Sequence, residues 1–181
     1  RTPAVYSYCA HLPAFAIAHC AQFMPVLIKA SIVTASLNPL PVLGICNVCQ
    51  ILTEPHLLPG SMINNYHLKF MCCDQVLRVE NSNTAWTLDY EAGQEITVPL
   101  KNQDGQYIAD EKVLDALEAE GRVVFRYVGF NPNGSRRDIA GISNAAGNVV
   151  GLMPHPEHAV EVGFGPQSLD GIGGRATDGL G

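Results

Sequence analysis

The sequence has few basic residues, and this limits the partners it can bind. Its 181 residues include 11 lysines and arginines against 17 aspartates and glutamates, which gives a formal net charge of −6. The basic residues are scattered along the chain, so no basic face is available to neutralise phosphate groups. We therefore expect no nucleic-acid partner.

The sequence also lacks a long uninterrupted apolar run. Its most apolar stretch, "FMPVLIKASIVTASLNPLPVLGI", is broken by Pro25, Lys29, Asn38 and Pro39, whereas a membrane helix needs about 20 consecutive apolar residues. No basic segment precedes an apolar one in the manner of a signal peptide. We expect a cytoplasmic protein with no membrane partner.

A disulfide framework, internal repeats and a P-loop are likewise missing. The six cysteines are neither dense nor regularly spaced, which indicates reduced thiols rather than a stapled secreted domain. The absence of G-x-x-x-x-G-K-[ST] excludes a P-loop ATP site. With 47% hydrophobic residues, the chain has the size and composition of a single domain covering residues 1–181.

Short apolar runs alternate with helical patterns, which is typical of an α/β fold. "VLGI" at 42–45 predicts a buried strand of a parallel sheet, and a helix follows it. Further strands are predicted at 68–81, 85–90, 94–100, 122–128, 139–144 and 149–154. Helices are predicted at 14–37 and at 110–121, the second between an Asp110 N-cap and Gly121. The glycine-rich residues 163–181 are expected to form a flexible tail.

Cys46 stands between the first predicted strand and its helix. A sharp strand-to-helix turn exposes the turn residue beside the helix N-terminus, where unpaired N–H groups and the helix dipole favour an anion. A cysteine there is shifted toward the thiolate, and Gly44 permits the tight turn. The pattern predicts a nucleophile, although a buried structural cysteine fits the same local sequence equally well.

A base for this nucleophile is predicted in "VVGLMPHPEHAVE". His155 and Glu157 follow the end of a strand, and residues i and i+2 of an extended chain project to the same side. Glu157 can therefore orient the imidazole of His155 while that ring faces Cys46. Two solvated loop residues are the simpler interpretation of an isolated H-x-E, but its position after a strand end favours catalysis.

These segments resemble a known family. "GICNVCQIL", "NPNGS", "DIAG" and "MPHPE" occur in the order seen in class I (triad) glutamine amidotransferases. Residues 41–161 are most similar to the glutaminase subunits of phosphoribosylformylglycinamidine synthase, an enzyme of purine biosynthesis. The resemblance implies a flavodoxin-like α/β fold, with an open, mostly parallel sheet flanked by helices. It also implies that the opening strands of the family domain are missing, and that the domain is N-terminally incomplete.

The resemblance implies roles for particular residues. Cys46 would attack the side-chain amide of glutamine, His155 would relay the proton to ammonia, and Glu157 would orient His155. The backbone N–H of Asn47 would be one oxyanion donor. The glutamine pocket would include Gln50, with weaker candidates at Asn133 and Ser135.

The family also implies partners. Ammonia would pass to a large ATP-dependent synthetase subunit, with a small accessory subunit in the same assembly. No cofactor and no metal are expected in this chain, because ATP and Mg²⁺ belong to the synthetase.

Several positions depart from the family pattern. Val48 replaces the second glycine of G-x-C-x-G-x-Q, and Ala4, Val5 and Cys9 replace glycines of a loop that supplies the second oxyanion donor. Side chains there crowd the backbone, so a catalytically impaired homologue that acts as a structural partner is an alternative. Other departures are Asn64 and Cys73 in place of arginine, and Gln103 in place of glycine.

A second alternative uses the spacing Cys46-Asn-Val-Cys49. A C-x-x-C sequence can be redox active. A thiol redox site has no need of the His155 segment, however, and this makes the redox interpretation the weaker one.

Overall fold

A computed structural model describes residues 40–159 of the chain. The predicted helix at 14–37, the residues Ala4, Val5 and Cys9, and the predicted tail at 163–181 lie outside this range. Within it, no helix is long and apolar enough to cross a membrane.

The described residues form eight strands, two α-helices and two short 3₁₀ helices. The strands are β1 (Val42–Ile45), β2 (Ser61–Ile63), β3 (Met71–Val79), β4 (Glu95–Asn102), β5 (Gln106–Ile108), β6 (Val123–Tyr127), β7 (Ile139–Ser143) and β8 (Val149–Leu152). The helices are α1 (Asn47–Thr53) and α2 (Glu111–Ala119), and the 3₁₀ turns are Arg136–Asp138 and Pro156–His158.

Six of these strands form the main sheet, in the order β1-β8-β7-β6-β3-β4. Among the described strands only β1 and β8 are parallel, and Gly44 lies beside Gly151 in that pair. The other four pairs are antiparallel. The prediction of a mostly parallel sheet is therefore wrong for residues 40–159. A link as short as 144–148, between β7 and β8, can join only antiparallel strands, because a parallel pair needs a crossover of a dozen or more residues.

The α/β class itself is confirmed, because each face of the sheet has its own core. Adjacent residues of β1 face opposite sides, with Val42 in one cluster and Leu43 in the other, as strand alternation requires. The Val42 face is covered by α1 and α2, which contribute Leu52, Leu114 and Leu117. The site described below lies where β1 and β8 end.

The helix α2 begins and ends as its sequence predicts. Asp110 is the N-cap residue with extended backbone, and Gly121 follows the C-cap with φ +63°. This is the left-handed conformation that glycine adopts most readily after a helix.

One local prediction differs from the structure, and one small sheet was not predicted. Residues 85–90 form successive turns instead of a strand, because Thr87 Oγ1 bonds Thr84 Oγ1 at 2.7 Å and Tyr90 N bonds Thr87 O at 3.1 Å. Threonine hydroxyls offer such local bonds as an alternative to a strand ladder. The small antiparallel sheet of β2 and β5 was not predicted, because three-residue strands carry no readable alternation.

Candidate functional site

Cys46 occupies the turn between β1 and α1. Its backbone has φ 52° and ψ −113°, a conformation that costs a non-glycine residue about 1–3 kcal/mol and is concentrated at functional sites. Its N–H donates to Leu152 O at 2.9 Å, and its carbonyl accepts from Gln50 N at 3.3 Å. The strained turn is therefore fixed both to β8 and to the first turn of the helix.

Two glycines allow α1 to lie close to the sheet beneath this turn. A Cβ atom at Gly44 would stand 2.3 Å from Leu52 Cδ1, and one at Gly151 would stand 2.9 Å from Cys49 Sγ. Neither position has room for a side chain. The parallel pair Gly44–Gly151 thus sets the distance between α1 and the sheet, and with it the position of Cys46.

His155 and Glu157 form a hydrogen-bonded pair after β8. His155 Nδ1 lies 2.6 Å from Glu157 Oε1, and the backbone N–H of His155 donates to Pro99 O at 2.7 Å. Pro156 opens the 3₁₀ turn that carries Glu157. The i, i+2 interaction predicted for these two residues is present in the structure.

The ionisation of the pair supports a catalytic arrangement. Burial lowers the pKa of His155, but its interactions with Cys46 and then Glu157 outweigh burial and raise that pKa to about 9. Burial raises the pKa of Glu157, yet the contact with His155 brings it below its ordinary value. His155 Nε2 is buried and has no hydrogen-bond partner among the described residues. Cys46 Sγ and His155 N also contact the same strand, at Lys101 O and Pro99 O of β4. Cys46, His155 and Glu157 thus lie in one region of the structure, and we call them the triad side.

Cys49 differs sharply from Cys46, three residues earlier. Its surface is only 4% exposed, and burial raises the pKa of its thiol to about 12. The Cys46 thiol is partly exposed and lies 3.7 Å from Lys101 O. Of the two thiols, only that of Cys46 is therefore accessible to a substrate.

A second part of the site consists of Gln50 and residues 101–105, which we call the pocket side. Gln50 Nε2 donates to Asp104 O at 2.7 Å, so the residue predicted for the glutamine pocket is joined to this segment. Asn47 is the first residue of α1, where backbone N–H groups have no partner within the helix. Its role as an oxyanion donor stays a prediction.

Asn133 and Ser135 lie inside the molecule, with 0% and 4% of their surfaces exposed. Asn133 Nδ2 donates to Tyr127 Oη at 2.9 Å, and Ser135 Oγ accepts from Tyr107 N at 3.0 Å. Ser135 Oγ also donates to Asn133 Oδ1 at 2.8 Å. Both side chains thus serve a buried hydrogen-bond network, and their contact with glutamine stays a prediction.

A metal could in principle be held by His155, Glu157 and His158, whose ligand atoms lie within 4.8 Å of one another. One feature opposes this use. Lys101 Nζ lies 2.9 Å from His158 Nδ1. The added positive charge of Lys101 disfavours a cation there.

Lys101 was not predicted from the sequence. Its carbonyl contacts the Cys46 thiol and its amine contacts His158, although it lies 55 residues from Cys46 in sequence. No local pattern marks it, because the contact depends on β4 running past the ends of β1 and β8.

Comparison with known proteins identifies close relatives. The sequence profile of the CobB/CobQ-like glutamine amidotransferase domain matches residues 39–168. The chain is 60% identical to phosphoribosylformylglycinamidine synthase subunit PurQ of Streptomyces avermitilis, over 94% of this chain and 74% of that protein. It is 62% identical to the subunit of the same name from Streptomyces coelicolor, over 92% of this chain and 72% of that protein.

A solved structure shares the fold. "Structure of PurLQS from Thermotoga maritima" contains a chain that is 36% identical to this one, with a TM-score of 0.69. The match covers 97% of this chain and 73% of that one. The glutamine amidotransferase fold expected from the sequence is confirmed by this match.

Proposed function

We propose that this chain, which belongs to the CobB/CobQ-like glutamine amidotransferase family, hydrolyses glutamine as a subunit of phosphoribosylformylglycinamidine synthase. Two relatives named as the PurQ subunit of this synthase are 60% and 62% identical to the chain. The observation that carries the proposal is the strained Cys46 turn, with the paired His155 and Glu157 beside it. The reaction belongs to purine biosynthesis.

The chemistry follows from the triad side. With a pKa of about 9, His155 holds a proton at neutral pH, and this proton is available for the departing nitrogen. The sulfur attacks the side-chain carbonyl carbon of glutamine, and His155 protonates the nitrogen as the C–N bond breaks and ammonia leaves. Water then attacks the γ-glutamyl thioester and gives a proton back to His155, which releases glutamate and restores the thiolate.

The substrate is held by the neighbouring groups. The N–H of Asn47 stabilises the oxyanion, and Gln50 contributes to the glutamine pocket. Asn133 and Ser135 are included as candidates for glutamine contact, either directly or through the segment that they support. A second oxyanion donor is expected from the loop that contains Ala4 and Val5.

We place this chain in an assembly with partners. Its ammonia passes to a large ATP-dependent synthetase subunit, together with a small accessory subunit, and the similar solved structure from Thermotoga maritima is that of PurLQS. ATP and Mg²⁺ act on the synthetase, so this chain needs no cofactor of its own. We further propose a cytoplasmic location and one amidotransferase domain over residues 1–181.

One experiment separates this function from its alternatives. The chain is incubated with a glutamine-like chloroketone, with and without excess glutamine, and the modified residue is identified by mass spectrometry. Cys46→Ala is the control. Glutamate release from glutamine is then measured for both proteins, alone and with the synthetase.

Labelling of Cys46 that glutamine prevents, with glutamate release that Cys46→Ala lacks, supports the proposal. Labelling without glutamate release in the complete assembly would instead indicate an impaired homologue that serves as a structural partner. A mass loss of two protons under mild oxidant, without labelling, would indicate a Cys46–Cys49 disulfide and redox chemistry.

A further inference from the structure

Asn65 is a buried polar residue that no step of the proposed reaction uses. Its surface is 0% exposed, although asparagine is mostly found at the surface. It follows β2 in sequence. A buried amide is costly unless its hydrogen bonds are made.

All three polar positions of the Asn65 side chain are used. Its Nδ2 donates to Lys69 O at 2.9 Å and to Asn102 O at 3.0 Å, and its Oδ1 accepts from Gly105 N at 3.0 Å. Its backbone N–H donates to Gln103 O at 2.8 Å. Three of these four bonds end on the segment 102–105, which links β4 to β5.

That segment belongs to the pocket side. Asp104 O accepts the side-chain amide of Gln50 at 2.7 Å, and the residue before the segment, Lys101, places its carbonyl 3.7 Å from Cys46 Sγ. The turn is tight as well, since a Cβ atom at Gly105 would stand 2.4 Å from Asn102 Oδ1. A shift of this turn therefore moves the partner of Gln50 relative to the nucleophile.

We propose that Asn65 is a positioning residue, which holds the turn 102–105 so that Gln50 and Asp104 shape the glutamine pocket beside Cys46. This inference rests on the proposed glutaminase function. Asparagine alone combines a two-hydrogen donor with an acceptor in one planar group of this size. Aspartate would present a carboxylate to the carbonyls of Lys69 and Asn102, and alanine would leave three backbone groups without partners.

The test compares Asn65→Ala with Asn144→Ala in the 181-residue chain. Asn144 is a matched control, because its side chain also bonds backbone and amide groups, at Val149 N and Asn148 Oδ1, but at the far end of β8. For each protein, Cys46 labelling by a glutamine-like chloroketone gives a half-saturating concentration and a limiting rate. Iodoacetamide, which needs no pocket, reports the intrinsic reactivity of Cys46. Hydrogen exchange measures the mobility of residues 102–105.

We expect Asn65→Ala to raise the half-saturating concentration by about tenfold, the effect of losing one or two net hydrogen bonds. Its limiting rate and its iodoacetamide rate should stay within about threefold of the parent, because the backbone bonds of the Cys46 turn remain. Amide exchange should accelerate at 102–105. Asn144→Ala should show none of these changes, even where it lowers the melting temperature.

An unchanged half-saturating concentration in Asn65→Ala, or exchange that accelerates only at 65–69, would overturn the positioning role. Equal losses in chloroketone and iodoacetamide labelling would also overturn it, because they indicate general disruption of the site. A parent chain whose chloroketone labelling does not saturate and is not prevented by glutamine would overturn the proposed function itself, and the pocket role with it.

Discussion

The two sides of the site are held by different kinds of bond. On the triad side, backbone groups fix the reactive residues to neighbouring strands: Cys46 N bonds Leu152 O at 2.9 Å, and His155 N bonds Pro99 O at 2.7 Å. On the pocket side, one backbone bond, from Asn65 N to Gln103 O, is joined by side chains that hold backbone groups. Gln50 Nε2 does so at Asp104 O, and Asn65 Nδ2 does so at Asn102 O.

Because of this difference, substitutions on the two sides should change different kinetic quantities. A substitution on the triad side removes a reacting group but leaves the backbone that carried it, so it should act on kcat with little change in fold. A substitution on the pocket side removes the support itself, so it should act on substrate affinity. The Asn65→Ala test above addresses the pocket side, and the following substitutions address the triad side.

The largest effect is expected from Cys46→Ala. Without the thiol no thioester can form, so glutamate release should fall to the background rate. The backbone bonds of residue 46 remain, so the melting temperature should stay close to that of the parent. Glutamine hydrolysis and thermal unfolding of both proteins check this. Activity that persists in Cys46→Ala would place the nucleophile elsewhere.

His155→Ala should have the next largest effect. It removes the group that protonates the departing nitrogen, and loss of a general acid or base typically costs about 10²–10⁴-fold in rate. We expect kcat to fall in this range at saturating glutamine, with KM changed far less. A large rise in KM at constant kcat would show that His155 binds substrate rather than transferring a proton.

Glu157→Gln should lower kcat by about tenfold, since a neutral amide keeps the shape while a charge-assisted hydrogen bond is roughly twice as strong as a neutral one. It should also move the pH profile. His155 acts as a protonated acid, so activity in the parent should be lost as pH rises through about 9, the pKa of His155. Without the Glu157 charge that pKa falls, and activity should be lost at lower pH.

The stability of the fold should change with pH in the same direction as the activity. The pKa of His155 is raised from its ordinary value of 6.5 to about 9, so its cation stabilises the fold fully below about pH 6.5. That contribution is lost as pH rises through about 9. Rate profiles and unfolding free energies of Glu157→Gln and its parent between pH 6 and 10 measure both shifts. Coincident profiles would contradict the coupling of His155 to Glu157.

The smallest effect is expected from Cys49→Ala. The thiol is buried and un-ionised at neutral pH, because burial raises its pKa to about 12. We expect most of the glutaminase activity to remain, with a loss of roughly 1 kcal/mol in unfolding free energy from the small cavity. Denaturant unfolding and glutamate release measure the two effects. Loss of activity as complete as in Cys46→Ala would favour the redox interpretation.

The triad side could be predicted from sequence because its signals are local. The turn at Cys46 lies between an apolar strand and a helical pattern, and His155 and Glu157 are two residues apart. The pocket side could not be predicted in this way. Asn65 and Gly105 are 40 residues apart, and only the folded chain brings the residue that follows β2 into contact with the turn between β4 and β5.

The sheet shows the same contrast. Its individual strands were predicted, with β1 at the same bounds, because each is a short apolar run. Their directions were assigned from the family resemblance, and four of the five strand pairs in the main sheet, as described for residues 40–159, are antiparallel. Strand direction depends on the connections, and the short link between the strands predicted at 139–144 and 149–154 already required an antiparallel pair.

The most direct test of the nucleophilic role of Cys46 is to trap the covalent intermediate. The chain is mixed with glutamine, quenched in acid within a single turnover and digested, and the Cys46 peptide is examined by mass spectrometry. The proposed mechanism predicts a γ-glutamyl group on Cys46. No adduct should form in Cys46→Ala, and in Cys49→Ala the adduct should still be found on Cys46. Glutamate release with no adduct on Cys46, or an adduct on another residue, would contradict it.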